Sequence, residues 1–268
     1  MILEMLSYPF IQRALIAGLL ISLCAALLGV SLVLKRYAMI GDGLSHVGFG
    51  ALAVATAVGL SPLWFTIPVV IVAAVLLLRL NETNAIRGDG AIAVLSTGSL
   101  ALGVMVVSLT SGMNTDVTNY LFGSILAMSR EDLMLSIVLG TVCFLLFLLC
   151  YHRIFGVTFD ETFARATGVR AGVYNLLLAV LTAITVVLGM RMMGALLISA
   201  CMIFPALTAM RVCKTFRGVT ILAVILSLLS FLIGLTLSYF FAVPTGAGIV
   251  LVSVGFFILF SGIGALRK

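Results

Sequence analysis

Charge is scarce in this chain. Asp, Glu, Lys and Arg make up 9% of its 268 residues against 63% hydrophobic ones, which excludes a water-soluble domain and leaves an integral membrane protein. Histidine is scarcer still, with two residues and no His-Glu-x-x-His pair, so a zinc protease of that type is excluded. No pair of membrane aspartates is evident, which removes an intramembrane aspartyl protease. A G-x-x-x-x-G-K-[ST] phosphate loop and a nucleotide-binding glycine fingerprint are both missing, so the chain does not hydrolyse ATP itself and enzyme is the weakest class. Energy for any work has to come from another subunit or from an ion gradient. The five cysteines, Cys24, Cys143, Cys150, Cys201 and Cys213, form no Cys-x-x-Cys pair, lie in or beside apolar runs, and read as inert packing.

What is present is a series of continuous apolar runs of about 20 residues, the length a helix needs to cross a bilayer core. They are too long and too little alternating for barrel strands. Nine are legible, near residues 10–34, 39–58, 63–80, 91–110, 132–151, 173–189, 192–211, 219–241 and 246–266. Short polar breaks divide them at Ser61-Pro62, Asn81 to Gly90, Ser111 to Tyr120 and Pro244 to Gly246. Residues 1–268 read as a single membrane domain with no soluble domain attached. The first run, from Ala14 to Leu34, is too long for a signal-peptide core and reads as a retained helix.

Basic residues orient the bundle, because short cytoplasmic loops accumulate Lys and Arg. If Lys35 and Arg36 are inside, so are Arg79, Arg87, Arg153, Arg165, Arg170, Arg211, Lys214, Arg217, Arg267 and Lys268, which is 12 of the 15. Only Arg13, Arg130 and Arg191 fall outside. The net charge of +6 is thus a topology signal and implies no nucleic-acid partner.

One connection is longer than a turn. The stretch "HRIFGVTFDETFARATGVRAGVYN", His152 to Asn175, holds its own short helix, expected over Phe159 to Thr167. Thr158 and Glu161 have capping-box spacing, Asp160 and Glu161 suit the positive end of a helix, and Gly168 is a natural stop. Phe159, Phe163 and Ala166 share one face of that helix, which fits either a surface helix resting on its own bundle or a peg that docks in a cytoplasmic partner.

A second stretch places acid and imidazole in an apolar run: "KRYAMIGDGLSHVGFGALAVA", Lys35 to Ala55. Asp42 and His46 are four residues apart, so on a helix they share a face, with Ser45 beside them. A carboxylate inside a membrane costs about 2.5–3.5 kcal/mol even on the lenient insertion scale. One carboxylate oxygen and one neutral imidazole nitrogen from adjacent turns make half of a four-coordinate zinc site, or part of a manganese or ferrous site. The alternative is structural, with Asp42 at a helix start and His46 bonded to a neighbouring carbonyl. Asp89, or the same pair in a second copy of the chain, is a candidate for the missing donors. Asp116 and Cys201 are weaker ones. Gly41, Gly43, Gly48 and Gly50 thin the helix for a close neighbour or a cation path.

Three stretches together resemble one family, the zinc, manganese and iron permeases of ATP-driven (ABC) metal-ion importers. "GVSLVLKRYAMIGDGLSHVGFGALAVA" is similar to the family's second-helix motif, "FDETFARATGVRAGVYN" to its coupling loop, and "GALLISACMIFPALTA" with "SYFFAVPTGAGIVLV" to its later helices. The resemblance covers nearly the whole chain, and Gly-Asp-Gly-Leu-Ser-His looks closest to zinc permeases. It implies an all-α polytopic bundle of eight to nine transmembrane helices, in the cobalamin-importer-like (type II) permease architecture, in a bacterial inner membrane. It further implies a homodimer in membrane lipid, a cytoplasmic ABC ATPase subunit gripping a coupling loop at about 152–172, and an extracytoplasmic metal-binding protein. Asp42 and His46 match positions that contact the cation in transit. Phe163, Ala164, Arg165 and Gly168 match the ATPase-coupling segment, with Phe159, Asp160 and Glu161 leading into it. A divalent metal ion, Zn²⁺ ahead of Mn²⁺ or Fe²⁺, is then substrate, with no resident cofactor. A proton-coupled secondary metal transporter and a membrane scaffold that moves nothing are the competing readings.

Overall fold

A computed structural model describes residues 8–82, 88–110, 123, 129–241 and 243–266. Arg87, Asp116, Arg267, Lys268 and the expected break from Ser111 to Tyr120 lie outside the described residues. Nine long helices carry the fold among the described residues: α1 (Pro9–Leu34), α2 (Ile40–Val58), α3 (Pro62–Glu82), α4 (Gly88–Leu109), α5 (Arg130–Leu149), α8 (Ala171–Met193), α9 (Ala195–Val212), α10 (Phe216–Phe241) and α11 (Thr245–Leu266). Two short ones, α6 (Tyr151–Phe159) and α7 (Glu161–Ala166), fill the long connection. Each of the nine apolar runs read in the sequence coincides with one long helix.

Seven of the nine are long and apolar enough to cross a membrane: α1, α3, α4, α5, α8, α10 and α11. The two that fall short are α2, diluted by Asp42, Ser45, His46 and four glycines, and α9, whose apolar stretch is short. Neither faces lipid along its length. Helix α2 packs against α3, α4, α8 and α9, and α9 packs against α1, α10 and α11. Polar groups within a membrane are tolerated where they face the bundle instead of hydrocarbon.

Helix α1 runs through the core. Ala17, Ala25, Ala26 and Val30 are fully buried, and its small residues let neighbours approach closely. A Cβ on Gly29 would stand 2.0 Å from the carbonyl oxygen of Met202 in α9, and one on Gly18 would strike the ring of Phe231 in α10. Inside the apolar interior the Ser227 hydroxyl donates to the Ser22 carbonyl at 3.0 Å, joining α10 to α1. Outward-facing Val72, Val94, Met105, Leu251 and Ile258 are exposed, as expected of a surface that meets acyl chains.

Helices α1, α3, α5, α9 and α11 finish, and α2, α4, α8 and α10 begin, at one end of the bundle, marked by Lys35. Phe155 of α6 stacks on Phe216 at the start of α10, with centroids 4.9 Å apart, and Asn175 of α8 donates to Glu161 of α7 at 3.1 Å. At the opposite end the Arg191 guanidinium holds Asp132 through two contacts of 3.2 Å, tying the finish of α8 to the start of α5. Asp132 also completes a capping box with Ser129.

The connection between α5 and α8 differs from the sequence expectation. Instead of one helix over Phe159 to Thr167 opened by Thr158, there are two, broken at Asp160. Thr158 is buried inside α6, and the cap of α7 is Asp160, whose carboxylate accepts the Phe163 N–H at 2.9 Å and the Thr162 hydroxyl at 2.7 Å. The extended backbone at Asp160, φ −147° and ψ 96°, ends α6 and aims the carboxylate at the free amides of the next turn. A charged cap also meets the positive end of the helix, which a threonine hydroxyl does not. The stop at Gly168 is as expected. Its φ of +84° suits a residue without Cβ, and the Val169 N–H bonds the Ala164 carbonyl at 2.9 Å while the Gly168 N–H bonds Arg165 at 3.0 Å.

Candidate functional site

Helix α2 starts after a tight turn and brings Asp42 and His46 onto one face within its first two turns. The His46 Nε2 lies 3.7 Å from Asp42 Oδ2, too far for a hydrogen bond and close enough for both atoms to touch one ion. Asp42 is about one-third exposed (32%) and His46 is largely covered (12%), so the pair runs from the protein interior toward its surface. The other imidazole nitrogen, Nδ1, is buried with no hydrogen-bond partner among the described residues. Native proteins rarely leave such an atom unpaired without a functional reason.

The surroundings are set by small residues. Gly43 and Gly50 face α4, where an added Cβ would meet Ile92 at 2.7 Å and the Ser99 carbonyl oxygen at 2.6 Å. Gly41 faces Met202 of α9, and Gly48 faces Met190 of α8. The glycines expected to thin this helix therefore admit three close neighbours. From α9 comes a group the sequence reading missed: the Ser199 hydroxyl reaches Asp42 Oδ1 at 3.4 Å. Only the spatial approach of α9 singles it out among the chain's many serines. Ser45 bonds its own helix, donating to the Asp42 carbonyl at 2.8 Å.

Asp89 lies exposed in the first turn of α4 and is not drawn into the pair. Among the described residues no group of three or more His, Cys, Asp or Glu side chains is assembled. Cys201 is buried and donates to the Met193 sulfur at 3.7 Å, while Cys24 donates to the Gly140 carbonyl at 3.4 Å, as packing residues do.

The expected coupling residues fall into two sets. Phe159 and Phe163 are 62% and 67% exposed, unusual for large aromatics and available to a partner. Ala164 is buried against Val157, Val169 and Ala171, which roots α7 in the bundle. Arg165 donates to Glu161 Oε1 at 2.6 Å within α7, and Glu161 Oε2 turns inward to Asn175 and Lys35. Burial alone pushes the Glu161 carboxyl up, but Asn175, Arg165 and Lys35 together outweigh it and hold it below the usual carboxylate range. The Phe163 amide, followed by the Thr162 hydroxyl, holds Asp160 low as well. Lys35 and Asn175 were legible only as a loop charge and as the end of a motif; the fold makes them partners.

The chain matches the model of the ABC 3 transport family over residues 7–263. It is 31% identical over 253 residues to the high-affinity zinc uptake system membrane protein ZnuB of Haemophilus influenzae, covering 94% of this chain and 97% of that one. It is 29% identical over 256 residues to the manganese transport system membrane protein MntC of Halalkalibacterium halodurans, covering 96% and 88%. Its fold superposes on a solved structure of PsaBC from Streptococcus pneumoniae in complex with Fab with a TM-score of 0.87 and 28% identity, over the full length of both chains. With a match spanning nearly every residue from the first helix to the last, the chain belongs to the ABC 3 transport family.

Proposed function

We propose that this chain is the permease subunit of an ATP-driven importer of divalent transition-metal ions, with Zn²⁺ as cargo. The observation that carries the reading is the Asp42–His46 pair. A tetrahedral ion bound to one carboxylate oxygen at about 2.1 Å and one imidazole nitrogen at about 2.0 Å sets those atoms about 3.4 Å apart. The observed separation is 3.7 Å. A small side-chain adjustment closes the difference.

Affinity at this site is moderate by construction. The start of a helix carries roughly half a positive charge, which opposes a cation. Asp42 outweighs it, and the net attraction captures an ion without trapping it, as transport requires. Two donors are half of a closed set. A second copy of the chain, related by a two-fold axis, supplies the other Asp42–His46 pair in this reading, and Asp89 is secondary. An extracytoplasmic binding protein delivers the ion, and a cytoplasmic ABC ATPase grips the exposed Phe159 and Phe163 beside Arg165 and Gly168. The Lys35 end then faces the cytoplasm. The zinc-like Gly-Asp-Gly-Leu-Ser-His motif favours Zn²⁺ over Mn²⁺ and Fe²⁺.

The test is metal uptake into vesicles holding the chain with its ATPase and binding protein, with competing cations added in turn. Asp42→Ala and His46→Ala lose uptake by more than roughly tenfold at equal membrane abundance, since each removes half of the donor set, and Asp89→Ala stays nearer wild type. Zn²⁺ competes best. Undiminished uptake by both pair variants, or proton-driven uptake by this chain alone, overturns the reading.

A further inference from the structure

We propose that Lys35 is the positioning residue that ties the coupling segment to helix α2, and so to the Asp42–His46 pair. The inference rests on the permease reading above and names the side chain through which movement of α7 reaches the cargo site. Lys35 closes α1, and its side chain is only 9% exposed. Its ammonium donates to Asn175 Oδ1 and lies 3.5 Å from Glu161 Oε2. Asn175, itself buried, donates to the same Glu161 oxygen at 3.1 Å. Glu161 therefore has one oxygen on Arg165 of its own helix and the other on a network reaching α1 and α8.

Helix α7 packs mainly on α6 and the start of α8. The Lys35 contact also joins it directly to the end of α1, which itself packs on α6 and α8. Past that end the chain is stiff: the Tyr37 N–H bonds the Leu32 carbonyl at 2.8 Å, Arg36 occupies the left-handed region at φ 61°, and α2 begins at Ile40. A displaced Lys35 shifts this turn as a unit, and the turn carries the first two turns of α2 with it. Beside it lies a small apolar cavity of about 30 Å³, lined by Leu32, Ile40, Leu77, Ile92 and Leu178. That space, about the size of one water, leaves the packing around Ile40 looser than along the glycine seam of α2 with α4.

The experiment uses the whole importer in vesicles and reads metal ions moved per ATP hydrolysed, alongside ATPase binding and hydrolysis without cargo. Lys35→Met keeps the apolar stem and removes the charge. Expected are normal assembly and basal hydrolysis, with metal moved per ATP down on the order of tenfold, a typical coupling between sites. Lys35→Arg recovers most of it, and Lys35→Glu with Glu161→Lys recovers more than Lys35→Glu alone. A wild-type ratio in Lys35→Met overturns the proposal. So does a loss of assembly matching the loss of transport, with no recovery in the exchanged pair. A wild-type complex that shows no ATP-driven uptake brings down the permease reading and this proposal together, whereas normal wild-type transport with an unaffected Lys35→Met removes this one alone.

Discussion

Single residues at the Lys35 end do work that their types do not announce. Asp160 ends one helix and starts the next, and Glu161 faces both its own helix and the bundle. Both carboxyls titrate below the ordinary range, so the folded loop binds fewer protons than the unfolded one. Their contribution is complete above the ordinary carboxylate range of about pH 4 and is lost as pH falls through their lower folded values. Amide exchange over residues 161–166 should therefore stay flat from neutral pH to about 5, after correction for intrinsic rates, and loosen only below about pH 4. Loosening that sets in between pH 7 and 5 would show that these two groups do not hold the helix.

Helices meet here through glycine. The seam of α2 with α4 and that of α1 with α9 leave no room for a methyl group, since a Cβ on Gly50 would lie 2.6 Å from the Ser99 carbonyl oxygen and one on Gly29 would lie 2.0 Å from that of Met202. A backbone atom cannot rotate away as a side chain can. Gly50→Ala and Gly29→Ala should each lower stability in detergent by about 1–3 kcal/mol, the usual range for overpacking, with Gly29 the worse. Gly255, with nothing within 4 Å of an added Cβ, is the control: Gly255→Ala should be neutral or slightly stabilising, because alanine is the better helix former. Thermal unfolding of the three variants in one detergent checks the order.

At the scale of the whole molecule, nine alternating helices put Phe163 and Ser61 at opposite ends of the bundle, both exposed. In a background lacking Cys150 and Cys213, a membrane-impermeant thiol reagent should label Phe163→Cys only in inside-out vesicles and Ser61→Cys only in right-side-out ones. The reverse pattern would put the coupling loop on the wrong side for an ATPase. The same alternation starts α2, which carries the Asp42–His46 pair, at the end of the bundle where α7 lies.

The sequence by itself determined that this is a helical membrane bundle, because a bilayer demands unbroken apolar length and that length is written in consecutive residues, as in the seven described helices long and apolar enough to cross. It also determined that Asp42 and His46 share a face, because four residues is about one helical turn, and that α7 stops at Gly168. The cap was misplaced because Thr158 and Asp160 both suit a helix start, and only the packing of α6 chose between them. The tertiary structure alone decided that Ser199 reaches Asp42, that Asp89 stays apart, and that Lys35, Asn175 and Glu161 meet. Such partners are separated by as many as 157 residues, and no local period encodes an encounter that depends on how whole helices cross.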